Sequence, residues 1–99
     1  MMEAAKKYQM VNCIKAVSLY YGVPVEAIRS HSRLLPYVEA RHHFCWLARM
    51  KRGLSFPRIG MFINRDHSTV QNSVKMFSKH ADSVADKIAG VDAILEEML

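Results

Sequence analysis

The sequence predicts an all-α domain of five to six helices built around a central helix-turn-helix. Three observations predict it. Apolar residues recur at spacings of three and four, with little strand-type alternation. Glycine and proline punctuate the chain where helices end and begin. Near the middle, a proline-marked helix is followed after a very short turn by a second helix with its own capping residue, the proportions of a helix-turn-helix.

The elements follow in order. Met10, Val11, Ile14, Val17 and Tyr21 share one face of a first helix running from about Glu3 to Tyr21, which Gly22 ends. Pro24 opens a short helix to about Ser30, anchored by Ile28. Residues 31–36 read as a loop, and Pro36 starts a long helix to about Arg52 that Gly53 stops. Its apolar positions include Val38, Ala40, Phe44, Leu47 and Ala48. Ser55 caps a helix from Phe56 to Phe62, with Pro57 in its first turn and Ile59 and Phe62 inward. Ile63-Asn64-Arg65 is the turn. Asp66 caps a helix to about Lys79 with Val70, Val74 and Phe77 on one face. Asp82 or Ser83 caps a last helix carrying the stripe Val84, Ile88, Val91, Ile94 or Leu95, and Met98.

Ninety-nine residues make one domain, 1–99, able to bury a modest core without staples. Charge is unevenly divided. The net charge of +5 separates into +9 over residues 1–81 and −4 over the acidic terminal segment 82–99. A basic body suits a polyanion.

Several function classes are disfavoured. No apolar run approaches the ~18 residues of a membrane span, and Lys6 and Lys7 precede no signal-type apolar stretch. Cytoplasmic, nucleoid-associated residence is the expectation. Cys13 and Cys45 lie in apolar surroundings and read as reduced core residues, although the sequence leaves a disulfide between them open. His42-His43-x-Cys45 matches no standard zinc spacing, and adjacent helical residues point apart. The histidines 31, 42, 43, 67 and 80 are expected at the surface or facing phosphate. A Cys45–His42 nucleophile pair would need an exposed thiolate, which the flanking Phe44 and Trp46 argue against, so no enzyme is expected. No metal or cofactor is expected. All four glycines (22, 53, 60, 90) are isolated and no Gly-x-x-x-x-Gly-Lys-Ser/Thr loop occurs, so no nucleotide is expected either. Trp46 and Tyr8, Tyr20, Tyr21 and Tyr37 read mainly as core.

The functional signal is the first turn after the short loop. In a helix-turn-helix the second helix enters the major groove with its N-terminal residues at the base edges. Here that turn reads Asp66-His67-Ser68-Thr69. A carboxylate accepts from cytosine, hydroxyls bond bases or phosphates, and a threonine methyl packs on thymine. Helix N-terminal N–H groups favour a nearby phosphate, and Arg65 and Arg58 can reach the DNA backbone.

Ser55-Phe-Pro-Arg-Ile-Gly60 followed by Arg65-Asp-His-Ser-Thr-Val70 resembles the C-terminal DNA-binding domain of the bacterial chromosomal replication initiator DnaA. The resemblance extends back through Leu47-Ala48-Arg49 and Ala40-Arg41 to Tyr20-Tyr21-Gly22-Val23, over roughly residues 10–80. It implies a Trp-repressor-like all-α fold that binds a short double-stranded DNA element. It places Asp66, His67, Ser68 and Thr69 at major-groove positions and Arg33 at the minor-groove arginine. Arg41, His42, Arg49, Pro57 and Asn72 fall at backbone-contacting positions. The chain departs from the family in its loop, Ser30-His-Ser-Arg-Leu-Leu35, where the family is rich in Lys and Arg. Ser68 stands where threonine is frequent, His42 where glutamine is, and Asn72 where histidine is. The turn Met61-Phe-Ile-Asn64 is one residue shorter than in many members.

The resulting expectation is sequence-specific DNA binding in replication or transcription control, without ATPase activity. The alternative is a protein-interaction module of the same fold that modulates a replication factor. A monomer is favoured over a dimer through the last helix. The chain is either a fragment or a free-standing relative that uses only the DNA-reading part; the initial Met-Met and the finished terminal helix favour a complete small protein, with a phage or mobile element as the expected source.

Overall fold

The computed structural model describes residues 6–99. From Met10 onward it contains six α-helices and one 3-10 turn. These are α1 (Met10–Tyr21), α2 (Val25–Ile28), α3 (Leu35–Arg52), α4 (Phe56–Ile63), α5 (His67–Lys79), the 3-10 turn (Ala81–Val84) and α6 (Ala85–Glu97).

Most boundaries are set locally, as the punctuation predicts. Gly22 and Gly53 close α1 and α3 in the left-handed conformation, at φ 66° and 62°, where a Cβ is unfavourable. Ser55 accepts from the Arg58 N–H to cap α4, and Pro57 occupies its first turn.

α3 is the axis of the molecule. It packs against α1, α2, α4 and α5, while α4 and α5 pack on each other and α6 lies along α1. Phe44 and Leu47 of α3 meet Ile14 and Val17 of α1, Ile28 of α2, Ile59 and Ile63 of α4, and Val70 of α5 in one buried cluster. Deleting side chains of this size typically costs ~2–5 kcal/mol each.

Three expectations are corrected. The first helix does not run unbroken to Tyr21. Glu3 lies outside the described residues, a helical turn at 6–7 ends at Tyr8, and α1 begins afresh at Met10. Long-range ties hold the break open. The Tyr8 hydroxyl donates to Asp92 at 2.6 Å, and Arg52 donates to the Tyr8 carbonyl at 3.4 Å. Neither Asp82 nor Ser83 caps the last helix, because the chain first makes the 3-10 turn and the Ser83 hydroxyl donates back to the His80 carbonyl. Ile63, assigned to the turn, is a fully buried residue of α4.

α6 buries Val91 and Leu95, and its Gly90 lies directly under the Tyr20 ring of α1, where a Cβ would have to push the ring aside. Lys7 ties the same helix down, pairing with Asp92 at 3.1 Å and Glu96 at 2.7 Å. Cys13 and Cys45 are free thiols, both buried. Burial pushes each thiol up to about 12.

Candidate nucleic-acid interface

The site begins with how sharply α4 gives way to α5. Asn64 closes α4 in the left-handed region at φ 59°, a conformation asparagine tolerates better than most residues. The Arg65 N–H then donates back to the Gly60 carbonyl at 2.9 Å. This brings the Arg65 carbonyl onto Gly60, so close that a Cβ at residue 60 would collide with backbone. Gly60 is what allows the turn to be so short.

Asp66 then caps α5, its Oδ1 accepting the Thr69 N–H at 2.8 Å. That backbone hydrogen bond, helped by the Thr69 hydroxyl, holds the carboxyl below the usual carboxylate range. The carboxylate is thus ionised and aimed along the start of the helix. His67 and Ser68 are exposed beside it, and Thr69 is half-buried.

The loop between α2 and α3 forms the facing wall. Ser30 and Ser32 order it, with the Ser32 N–H donating to Ser30 Oγ at 3.2 Å and the Leu34 N–H to Ser32 Oγ at 3.3 Å. Such side-chain-to-backbone bonds are the usual way serines hold a turn. Arg65 reaches across, its Nη1 donating to the Ser30 carbonyl at 3.0 Å.

Between the two walls runs an open groove of about 600 Å³. Arg33 and Leu35 line one side, Asp66, Ser68, Thr69 and Asn72 the other, with Arg41 and His42 between them. His67 faces a neighbouring concavity of about 710 Å³ with Pro57, Met61 and His31. The residues expected at base edges thus divide around Asp66, which borders both surfaces.

The expected backbone contacts are not alike. Arg58 is exposed on α4. Arg49 is half-buried, donating to the Leu54 carbonyl at 3.0 Å and lying over the Phe56 ring at 4.5 Å. Arg41 differs most from expectation. It is only 4% exposed, with Nε donating to the Ile28 carbonyl at 2.8 Å and Nη2 to the Ala27 carbonyl at 3.0 Å. Its guanidinium closes the C-terminal end of α2, so its first task is to hold α2 and the following loop on α3. Burial, with the nearby Arg65 charge, lowers its pKa from the ordinary arginine value.

The histidines also divide. His42 is half-buried in the groove wall, and burial plus the Arg41 charge lower its pKa. It is therefore neutral near pH 7 and offers hydrogen bonds rather than charge. His43, expected at the surface, is fully buried. Its Nδ1 lies 2.9 Å from the Tyr21 hydroxyl, and its ring stacks on Phe77 at 4.6 Å. Among the described residues, its Nε2 is the single buried side-chain nitrogen or oxygen without a partner.

Sequence reasoning assigned no role to Met61 or Met76 and read Val38 only as an apolar helix position, yet all three line these surfaces. Met61 is the clearest omission. It is 85% exposed beside His67. The signal in the sequence is its spacing, four residues after Pro57 and so on the same face of the helix. Among the described residues no group of His, Cys, Asp or Glu gathers to hold a metal ion. No helix there is long and apolar enough to cross a membrane.

The comparisons with known proteins span most of the chain. The family model described as the bacterial dnaA protein helix-turn-helix matches residues 10–76, from the start of α1 into α5. The chain is 40% identical over 76 residues to the chromosomal replication initiator protein DnaA 2 of Chlamydia caviae, covering 77% of this chain and 16% of that protein. It is 30% identical over 99 residues to DnaA 1 of Chlamydia trachomatis serovar D, covering 98% of this chain and 22% of the relative. With DnaA of Deinococcus deserti the identity is 27% over 92 residues, covering 93% and 20%. The chain therefore spans about a fifth of the length of the curated relatives it matches. With its all-α core and its capped helix-turn-helix, it belongs to the bacterial DnaA helix-turn-helix family, as a DNA-binding rather than a catalytic domain.

Proposed function

We propose that the chain reads a specific sequence in duplex DNA, in the control of replication or transcription, by direct readout and without hydrolysing ATP. The observation that carries this reading is the groove whose walls are the first turn of α5 and the Arg33 loop. Asp66, His67, Ser68 and Thr69 meet base edges in the major groove. Arg33 reaches the adjacent minor groove. Arg58, Arg49, His42, Asn72 and the backbone around Pro57 take phosphates and set register. Arg65 and Arg41 serve the interface mainly by placing its two walls, with any phosphate contact secondary to the carbonyls they already bind. The packing of α6 onto α1 supports a monomer, and a DNA reader of this kind would reside on the nucleoid.

Selection from a randomised duplex pool at near-physiological salt tests the reading. One enriched motif is expected, lost in the His67→Ala/Thr69→Ala variant. An unenriched pool would refute sequence readout. It would favour the second reading, a module of the same fold that engages a protein such as a replication factor. Leu34 and Leu35, exposed where the related loops are basic, are the observation on that side.

A further inference from the structure

α3 starts in an unusual way. Its N-cap is Leu34, at φ −61° and ψ 134°, with no side-chain cap, although Ser, Thr, Asp and Asn are the favoured residues there. Leu34 is 61% exposed and its neighbour Leu35 is 71% exposed. Two large apolar side chains thus stand in solvent at the end of a polar loop.

They are held firmly there. The Leu34 N–H is taken by Ser32 and its carbonyl by the Val38 N–H at 3.0 Å, while Pro36 fixes the backbone of the first turn. Arg65 anchors the loop base at Ser30. With the Ser32 and Leu34 N–H groups and the Leu34 carbonyl all bonded, the loop tip presents Arg33 and two leucines. Leu35 lines the same groove as Arg33, Asp66, Ser68, Thr69 and Asn72.

We infer that Leu34 and Leu35 form an apolar wedge that packs into the minor groove of bound duplex DNA, against the base step beside the one Arg33 faces. The inference rests on the reading of α5 as the major-groove helix. Apolar side chains between base steps are an established means of gripping the minor groove, where the partly unstacked step buries them. The surroundings favour a polyanion over a protein. The groove that Leu35 lines includes the apolar Val38 and Met76, but its charged residues are Arg33, Arg41 and Arg65 against the carboxylate of Asp66. The loop thus exchanges phosphate attraction for apolar contact, which is insensitive to salt.

The test uses the full chain and a duplex carrying its selected motif, with 2-aminopurine placed in turn at each step flanking the motif. Leu34→Ser/Leu35→Ser is compared with Leu34→Met/Leu35→Met, and thermal melts confirm that both fold. The serine variant should bind about tenfold or more weakly, from the apolar area it no longer buries. Its salt dependence should match the parent's, since no phosphate contact is removed. Parent protein should raise 2-aminopurine emission at one flanking step, and the serine variant should not. The methionine variant should keep both affinity and emission. Serine-variant affinity within about twofold of the parent, with unchanged emission, overturns the wedge and leaves the leucines to a protein partner. A parent that selects no motif overturns the α5 reading too, so the two failures are told apart.

Discussion

Arg65 Nη1 donates to the Ser30 carbonyl across 3.0 Å, joining residues 35 apart in sequence. That bond fastens the loop carrying Arg33 to the turn that launches α5, so one side chain ties the two walls of the groove together. Arg65→Ala should cost about 1.5–3 kcal/mol of stability, the range of a hydrogen bond involving a charged group. Arg65→Lys keeps the charge but not the planar reach. If the tether is the function, both variants should speed amide exchange in residues 31–34 and weaken DNA binding alike. A lysine variant that binds like the parent would instead assign Arg65 to phosphate.

Gly60→Ala separates the turn from the residues it presents. The added Cβ meets the Arg65 carbonyl, which is backbone and cannot swing aside. The expected loss is about 1–3 kcal/mol, typical of overpacking, read from chemical denaturation. Specific binding should weaken further than stability alone accounts for, since α5 must shift relative to α4. Parental stability in the variant would contradict the close approach.

His43 makes stability depend on pH. Burial, with a contribution from the Lys87 charge, lowers its pKa from the ordinary 6.5 to about 4. The folded state therefore resists protonation that the unfolded chain accepts. Stability from this group is complete above about pH 6.5 and drains away as pH falls towards 4. The total is on the order of 3 kcal/mol. His43→Phe removes the titrating ring and the partnerless Nε2 while keeping the stack on Phe77. Denaturation midpoints of the variant should slope less steeply between pH 6.5 and 4.5 than those of the parent, the remaining slope coming from His42, whose pKa is also lowered. Equal slopes would show that other groups carry the acid sensitivity.

Arg58 and His67 should fail in different ways. Arg58→Ala removes an exposed cation, so binding should weaken by a similar factor on every sequence and the salt slope should shrink by about one. His67→Ala should leave the slope alone and reduce discrimination by ~1–3 kcal/mol at one position. Titrations of matched and mismatched duplexes at several salt concentrations distinguish the patterns. Identical behaviour of the two variants would count against base contact by His67.

Much of this architecture is legible in one dimension because local chemistry dictates it. Gly22, Gly53, Ser55 and Asp66 mark helix ends through hydrogen bonds and dihedrals confined to a few neighbouring residues. The first turn of α5 was readable for the same reason. What escaped depends on partners far away in sequence. The break before Met10 is held by Asp92 and Arg52, the burial of Arg41 by the carbonyls of Ala27 and Ile28, and that of His43 by Tyr21 and Phe77. A polar residue on a core-facing helical position looks like a surface residue until its partner is known.

The pairing of Lys7 with Asp92 and Glu96 bears on arrival as well as stability. It moors the acidic segment along α1, and none of the residues lining the groove comes from α6. A chain with its positive charge gathered over residues 1–81 and its negative charge moored elsewhere has a built-in compass. In the field of a polyanion such a body turns before it touches, so that more encounters begin groove-first. Neutralising the acidic helix would raise the attraction to any phosphate while blunting that orientation, giving a protein that sticks faster and finds its place less directly.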